Sequence, residues 1–358
     1  MPIIFQQGTT SQRSQTLVVG SGLTLTQTVD GLSQIYADGG GAGSAGEAVI
    51  QPSGSDDTSA IQTAIWNNAR VRLTPGSFNV SAIIDLAAGA LVSGSGLDKT
   101  TIVKSNFNGP VFRFGDQVQY AGVENLRISG PGQSIASGNK GIQAARSAPP
   151  TGLAIARRLT FRNLSIEDVG ENGMYFDGCA EVEISNVIFV RTGFEPLYFN
   201  GGGCLSMRAV RAESCSGPLY FHSATGLAID ACEAESCYTS FRFNAVTDAV
   251  IAGCTSKKCT NVPLKISAGS NVVVAGFSSD NTGAPYFVDQ PHLLVDTGAL
   301  GVEILGFRRV NTDQPGTLTS EASVTGAGGP VLVGYHNFDT AKVVSGGKFA
   351  QVTTTALP

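Results

Sequence analysis

The chain has 358 residues, of which 14% are charged, and its net charge of −5 comes without any cluster of Lys and Arg. Binding to a nucleic-acid backbone requires such a basic surface, so we expect no nucleic-acid partner. No stretch approaches the ~18 apolar residues of a membrane span, so we also expect no membrane insertion.

Residues 1–46 are predicted to be a virion-anchoring and oligomerisation segment that ends in a Gly-rich linker. The segment is too small to bury a core without other chains, and residues 39–46 have the composition of a flexible linker. The phrase Gly20-Ser-Gly-Leu-Thr-Leu-Thr26, followed by Gly31-Leu-Ser-Gln-Ile35, resembles strand-turn units at the ends of phage tail fibres and spikes. The first residues lack the basic region and long apolar core of a secretory signal, so we expect folding in the cytoplasm.

Residues 54–104 carry the signals of a solenoid cap. Ser55 or Asp56 can cap a helix whose apolar side chains recur at helical spacing, and Gly-punctuated strands follow. A solenoid needs such a cap because its first coil otherwise exposes one end of the core. The motifs, in chain order, are Asp56-Asp-Thr58, Ala60-Ile-Gln-x-Ala-Ile65, Pro75-Gly-x-Phe78 and Gly94-Ser-Gly96.

This series of motifs resembles the N-terminal cap and first coils of the pectate-lyase-like right-handed β-helix superfamily. The superfamily includes polygalacturonases, pectate lyases, epimerases and phage tailspikes, so the resemblance implies engagement of a carbohydrate rather than one reaction. The polygalacturonase motifs are not in place, because Asn311-Thr-Asp313 lies beyond the repeats, Asp56-Asp57 lies in the cap, and Gly-His-Gly is missing. The calcium-dependent lyase signatures are missing too, and the three His are scattered. We therefore predict no metal site and no cofactor.

Between the cap and the repeats, residues 123–130 form one more predicted coil, and residues 131–156 then interrupt the pattern. Such an interruption must project outward as a loop, and outward loops commonly carry binding. Asn125, Asn163 and Asn186 each precede an apolar residue. At that place a buried Asn could hydrogen-bond a turn from the inside.

Residues 157–290 repeat every 22 or 23 residues when the chain is cut at Arg158, Glu181, Cys204, Gly226, Asp248 and Asn271. Alternating apolar pairs such as Leu159/Phe161 and Met174/Phe176 recur in each repeat, which is typical of strands with one buried face. A unit this short cannot close a core alone, but stacked units can. The pattern predicts an all-β chain whose residues 47–310 form a single-stranded parallel β-helix, right-handed by the resemblance. Residues 311–358 are predicted to be a C-terminal β cap or trimerisation segment.

The cysteines follow the same period. Cys215, Cys237 and Cys259 recur at steps of 22 residues, as do Cys232 and Cys254. Stacked cysteines could come within disulfide distance. For a protein folded in the cytoplasm, a ladder of reduced thiols is the better interpretation.

One outward row lies between the two residues of the last core pair. It reads Tyr175, Tyr198, Tyr220, Arg242 and Lys265. Tyrosine rings stack on sugars and cations pair with acidic sugars, but Tyr and Arg are equally enriched where protein chains meet. Glycan contact, trimer contact and plain surface therefore stay open for this row.

A second outward row brings Glu213 and Glu235 onto adjacent coils, about 5 Å apart by strand spacing. That separation is near the one used by retaining glycosidases, and two like charges so close would raise one pKa, as a general acid requires. We name the two residues as candidate catalytic carboxylates. The alternative is a compensated charge ladder, because Lys257 is one coil away and Arg211 can pair with Glu233.

Together, these features favour a phage-type virion spike. It would be a homotrimer, attached to a head or tail protein of the virion through residues 1–46. It would recognise, and in an enzymatic form degrade, a host cell-surface polysaccharide as a glycoside hydrolase or lyase. Two alternatives stay open: a stand-alone polysaccharide lyase, hydrolase or epimerase, and a non-catalytic decoration protein.

Overall fold

A computed structural model describes residues 46–309 apart from 106, 134–137, 146–155, 281–290 and 297, and outside that range it gives strands within 5–37 and 322–354. The N-terminal strands are β1 Phe5–Gln7, β2 Gln15–Val18, β3 Leu23–Gln27 and β4 Ser33–Ala37. They form an antiparallel sheet in that order.

The elements ahead of the repeats are β5 Glu47–Ile50, α1 Thr58–Asn67, β6 Arg70–Leu73, β7 Gly76–Val80, β8 Ile84–Leu86, β9 Leu91–Ser93, β10 Thr100–Lys104, β11 Gly109–Phe114, β12 Gly122–Ser129 and β13 Asn139–Ala145. The repeats contain β14 Arg157–Glu167, β15 Met174–Asp177, β16 Ala180–Val190, β17 Leu197–Asn200, β18 Gly203–Arg208, β19 Arg211–Glu213, β20 Leu219–His222, β21 Thr225–Asp230, β22 Glu233–Glu235, β23 Phe241–Asn244, β24 Thr247–Ala252, β25 Thr255–Lys257, β26 Leu264–Ser267, β27 Ser270–Ala275 and β28 Ser278–Asp280. The last strands are β29 Leu293–Val295, β30 Leu300–Arg309, β31 Ala322–Val324, β32 Val331–His336, β33 Val343–Ser345 and β34 Phe349–Thr354.

The helix α1 covers the first coil with its apolar side, where Ile61 and Ile65 are buried. The N-cap is Asp57 rather than the predicted Ser55 or Asp56, and the Asp56 carboxylate accepts the backbone N–H of Thr58, the first residue of the helix. The carboxylate of Asp57 does not bond the helix, because it accepts the backbone N–H groups of Ser53 and Asn79. It thereby ties the cap to the next strand.

The strands from β5 onward pair in parallel with the equivalent strand of the next coil, as predicted. Three faces result. Face A contains the first halves of β12, β14 and β16 and then β18, β21, β24 and β27. Face B contains the second halves of those long strands and then β19, β22, β25 and β28. Face C runs from β8 through β15, β17, β20, β23 and β26 to β33. The protein is a right-handed parallel β-helix, and the helix α1 precedes its coils as predicted.

The corners of each coil are made by residues with left-handed backbone. Every residue at which we cut the repeats has a φ between +53° and +70°, including the non-glycine residues Arg158 and Glu181. Further left-handed residues recur where face A meets face B and where face B ends, for example Asn186 and Arg191. The period seen in the sequence is thus the period of the corners.

The inward columns form one continuous core. Both members of each predicted apolar pair are at most 2% exposed, and the core includes stacked rings such as Phe221 and Phe243, whose centroids are 4.9 Å apart. Cys215, Cys237 and Cys259 are buried in this core, and the structure gives each of them as a thiol. The predicted reduced ladder is therefore what the structure contains. Thr282, the last member of that column, lies outside the described residues.

The asparagine column is on the outside of the molecule, so the prediction that these residues act from inside was wrong. Asn163 and Asn186 are exposed, and each donates its side-chain N–H to the side-chain oxygen of the Asn one coil before, at 2.9 and 2.8 Å. Asparagine suits this corner because it tolerates left-handed backbone, and the amide ladder links neighbouring coils on the surface.

The strands after β29 continue the same stacking. In face C, β29 pairs with β31 and β31 with β33, while β30, β32 and β34 pair in succession, all in parallel. Among the described residues there is no helix that is both long and apolar enough to cross a membrane.

Candidate functional site

The aromatic and cationic row forms on face C as the sequence predicts. Parallel pairing sets Tyr175 against Tyr198, Tyr198 against Tyr220, Tyr220 against Arg242, and Arg242 against Lys265. All of these side chains are half-buried. The five residues form one row along the helix axis, with a spacing of about 4.8 Å between coils.

The tyrosine rings of this row pack mainly on one another. The rings of Tyr175 and Tyr198 are stacked, with an angle of 8° between their planes. The rings of Tyr198 and Tyr220 make an edge-to-face contact. The ring centroids are 5.2 Å apart in both pairs. The guanidinium of Arg242 lies 4.8 Å from the Tyr220 ring, and the amine of Lys140 lies 5.3 Å from the Tyr175 ring. The ring faces are therefore engaged within the protein, and ring edges and hydroxyl groups are what the tyrosines offer to a ligand.

Burial raises the pKa of the Tyr175 phenol, with Asp177 and Glu171 adding to the effect, and burial is also the main cause of a raised pKa at Tyr198. These phenols thus stay protonated and can donate hydrogen bonds across the neutral pH range. Beyond its tyrosines the row contains two cations, Arg242 and Lys265, and the amine of Lys265 pairs with the Asp296 carboxylate at 3.8 Å.

Polar side chains flank the row on one side. The next outward column contains Asp177, Asn200, His222 and Asn244, paired in register. The Asn200 amide donates to Asp177 at 2.9 Å, and the His222 ring stacks on Tyr220 at 5.9 Å. We had assigned no function to this column. Its signal in the sequence was only the repetition of small polar residues, which turns also produce.

Glu213 and Glu235 are paired on adjacent coils of face B, as predicted, with Lys257 in the same row. Their surroundings are basic. The guanidinium of Arg211 lies 3.0 Å from Glu235 and 3.4 Å from Glu213, and the amine of Lys258 lies 3.1 Å from Glu235.

These cations shift the pKa of Glu235 in the direction opposite to the one that a general acid requires. The hydrogen bond from Lys258, followed by that from Arg211, lowers the pKa of Glu235. A carboxyl with a lowered pKa is ionised at neutral pH and does not carry the proton that a general acid must donate. The predicted rise in pKa is thus wrong for Glu235, and a catalytic role of the pair stays a prediction.

Compensated charge ladders occupy the rest of this surface, as the sequence indicated. Arg191 pairs with Asp168 at 2.7 Å, and Arg208 pairs with Asp230 at 3.3 Å. Across the part of the chain that the structure describes, no group of three or more His, Cys, Asp or Glu side chains could hold a metal ion.

A shallow groove lies on the first coils of face A. Its floor includes Gly122, and its rim includes Tyr120, which stacks with the guanidinium of Arg158 at 4.8 Å. Arg158 in turn pairs with Glu181, and Arg162 pairs with Glu183, each at 2.7 Å, so these four charges of the groove are satisfied within the protein. Sequence reasoning did not find this groove, because its residues come from both the cap coils and the first repeats.

Two exposed aromatic residues were also missed. Phe194 is 54% exposed and Tyr238 is 58% exposed, and both lie on the corner between faces B and C, which we call the BC corner. They could have been found as the large residues that follow the inward column of Thr192 and Cys237.

The fold defines the class of protein: a right-handed parallel β-helix. Residues 153–284 match the family described as the right-handed beta helix region, in agreement with the resemblance found in the cap. A search of curated proteins gives no match.

Solved structures share the fold at low sequence identity. The chain is similar to the endo-xylogalacturonan hydrolase from Aspergillus tubingensis, with 12% identity, a TM-score of 0.53, and coverage of 86% of this chain and 100% of the hydrolase. It is also similar to the enzymatically active domain of bacteriophage CBA120 tailspike protein 2, with 14% identity, a TM-score of 0.52, and coverage of 90% of this chain and 52% of the tailspike domain. The catalytic domain of a GH87 alpha-1,3-glucanase in complex with nigerose has 12% identity, a TM-score of 0.54, and coverage of 92% and 73%.

Proposed function

We propose that this protein is a phage-type virion spike that recognises a host surface polysaccharide. The observation that carries the proposal is the row on face C, in which Tyr175, Tyr198 and Tyr220 precede Arg242 and Lys265 along the axis. A linear array of hydroxyl donors and then cations suits a chain-like ligand with many hydroxyl groups and some negative charge. The likeness to a tailspike domain and to two polysaccharide-degrading enzymes supports a carbohydrate as that ligand.

The homotrimer contact is proposed on a different surface, which leaves the face C row free for the glycan. The outer side of face A carries Ala228, Val250 and Val273 in one row, with Ala252 and Ala275 in the next. Val250 is 51% exposed. Small apolar side chains on a flat sheet offer nothing to a hydroxyl-rich ligand, whereas three copies could cover these surfaces with one another.

Attachment to the virion is proposed through residues 1–46. The strands β1 to β4 in this segment form their own antiparallel sheet, and the Gly-rich stretch at 39–46 separates them in sequence from the cap. Deleting residues 1–46 should abolish incorporation into particles while the remaining chain still binds polysaccharide. A deletion variant that is still incorporated, or a full-length chain that never associates with particles, would favour the stand-alone enzyme.

Polysaccharide recognition is tested with purified capsular polysaccharides and lipopolysaccharide glycans. We expect Arg242→Gln and Lys265→Gln to weaken binding of an acidic polysaccharide, and to reduce the dependence of binding on salt, because each removes a cation from the row. Arg72→Gln is the matched control, since Arg72 is an exposed cation paired with Glu47 at 3.2 Å, far from face C along the chain. Equal binding by all variants would remove this row from the site.

Cleavage is scored in the same incubations by new reducing ends or unsaturated products. If Glu213 and Glu235 are catalytic, Glu213→Gln and Glu235→Gln will each abolish cleavage and preserve binding. Binding without cleavage by the wild-type protein would restrict the function to recognition.

The homotrimer is tested by sedimentation: Val250→Lys should dissociate it, because a charge would then be buried in an apolar contact, whereas Thr225→Lys at the strand end provides a milder control.

A further inference from the structure

The BC corner varies in length from one coil to the next. From β18 to β28, the corner between faces A and B leaves two residues between strands, for example from Arg208 to Arg211 and from Asp230 to Glu233. At the BC corner, by contrast, the connections run from 214 to 218 and from 191 to 196. The stacking of the faces on either side keeps its register throughout. Loops of variable length on a fixed scaffold are where binding sites commonly lie.

Phe194 and Tyr238 stand on this corner two coils apart, about 10 Å from each other by coil spacing. The coil between them carries Ser216 and Gly217. The stacking is fixed by backbone bonds, since the N–H of Gly217 donates to the carbonyl of Phe194 at 3.2 Å and the N–H of Ser216 donates to Thr192 at 3.0 Å. Two aromatic side chains thus flank a coil of small residues.

Gly217 is required at the floor of this notch. A Cβ added there would lie 3.0 Å from the backbone carbon of Phe194 and 3.0 Å from the backbone nitrogen of Glu195, tighter than almost all real contacts. The floor therefore cannot carry a side chain without moving the coil that holds Phe194.

The rings of Phe194 and Tyr238 are available, unlike those of the tyrosine row on face C. Neither has an aromatic or cationic stacking partner among the described residues. The corner is also anchored: the amide of Gln133 donates to the carbonyls of Thr192 and Ser214, at 3.3 and 3.0 Å. The start of the 131–156 interruption is thereby held beside the notch.

We propose that the notch between Phe194 and Tyr238 is a second polysaccharide subsite, which binds a neutral pyranose unit through its apolar C–H face. The proposal rests on the proposed function, because it names a further part of the same glycan. Aromatic rings supply rigid apolar contact area for the sugar face, and the exposed Ser216 and Ser214 beside them can bond its hydroxyl groups. A protein partner fits less well, since a stable protein contact needs a contiguous apolar patch of several hundred Å², and here the rings are separated by a coil of Ser and Gly.

The test uses an array of purified bacterial capsular and O-antigen polysaccharides with the full-length chain. We expect Phe194→Ala and Tyr238→Ala each to lower the affinity for the bound polysaccharide by about tenfold, as is typical when a central aromatic contact is truncated. Phe194→Trp and Tyr238→Phe should retain binding. Trp66→Ala is the matched control, because Trp66 is 69% exposed on α1 and lies outside the corner.

The outcomes separate this inference from the proposed function. Unchanged affinity in both alanine variants, with loss of binding in Arg242→Gln and Lys265→Gln, would overturn the subsite and leave the face C site intact. Unchanged glycan affinity with a changed sedimentation coefficient would assign the corner to a protein contact and likewise overturn the subsite. Absence of binding to every polysaccharide on the array would overturn both.

Discussion

Arg211 is the cation that Glu213 and Glu235 share. Its guanidinium is the cation within 3.4 Å of both carboxylates. Replacing it with methionine, which keeps much of the apolar stem, removes that cation and leaves Glu235 with Lys258 as its remaining partner at 3.1 Å. The two carboxylates then face each other across one coil with less positive charge between them. We therefore predict that Arg211→Met raises the pKa of Glu235.

The size of the effect follows from the exposure of the pair. Arg211 is 45% exposed, and an ion pair at such a surface is worth about 0–1 kcal/mol. Since one pKa unit corresponds to about 1.4 kcal/mol, the expected rise is at most about 0.7 unit. A rise of that size leaves Glu235 ionised at neutral pH, so even without Arg211 it should not become a general acid.

The measurement is an NMR titration of protein labelled with ¹³C at the glutamate carboxyl carbons, with Glu235→Gln used to assign the signal. Arg208→Met serves as the control, because Arg208 pairs with Asp230 rather than with either glutamate. A rise of two units or more would refute the surface-pair reasoning and would show that Arg211 is what suppresses an acid. An unchanged pKa would show that Lys258 alone sets it.

Two further predictions concern the scaffold. Phe243→Ala should lower the free energy of unfolding by about 3–5 kcal/mol, because Phe243 is fully buried and stacks on Phe221. Urea unfolding measures this loss, and Phe243→Leu should lower the free energy of unfolding by less. A loss below about 1 kcal/mol in Phe243→Ala would contradict a close-packed ladder. Hydrogen bonds from Ser81, and then from Thr58, lower the pKa of Asp56 to about 2, so its stabilisation should be complete above the unfolded-state pKa of about 3.9 and disappear as the pH falls toward 2. The stability difference between wild type and Asp56→Asn should therefore shrink from pH 5 to pH 2, and a constant difference would refute this account.

The scaffold was predictable because the sequence repeat consists of the inward-facing apolar residues. Each coil must bury a fixed set of side chains, so the columns beginning with Leu159 and Met174 are apolar in every coil, independently of the residues on the surface. The cap was predictable for a related reason, since its helix has to cover the first coil. Backbone conformation was not visible in the same way: Arg158 and Glu181 adopt left-handed backbone although neither residue type favours it. Their positions were found only because the period of their neighbours marks them.

The sequence predicted which residues form rows on the surface, but not how their side chains are oriented or which partners they bind. Sequence spacing placed Tyr175 and Tyr198 one above the other, yet whether their faces point at a ligand or at each other depends on side-chain rotation, and they stack on each other. Spacing also suggested Lys257 as the cation for Glu235. In the structure Lys257 pairs with Glu233 at 3.1 Å, and Lys258 at the corner pairs with Glu235. Long side chains reach across coils, so their partners cannot be read from row membership.

The same physics indicates where a β-helix can carry a new function without losing its fold. On a face, an inserted residue would turn every following inward side chain outward, so the strand lengths of faces A, B and C are constrained by the core. At the BC corner an extra residue is accommodated without that cost: the step from Arg191 to Leu197 is one residue longer than the step from Ser214 to Leu219, and Leu197 still pairs with Leu219. Phe194 lies in that longer step. The exposed ring is therefore placed where the core imposes no requirement for it, which is the reason to look there for selection by a ligand.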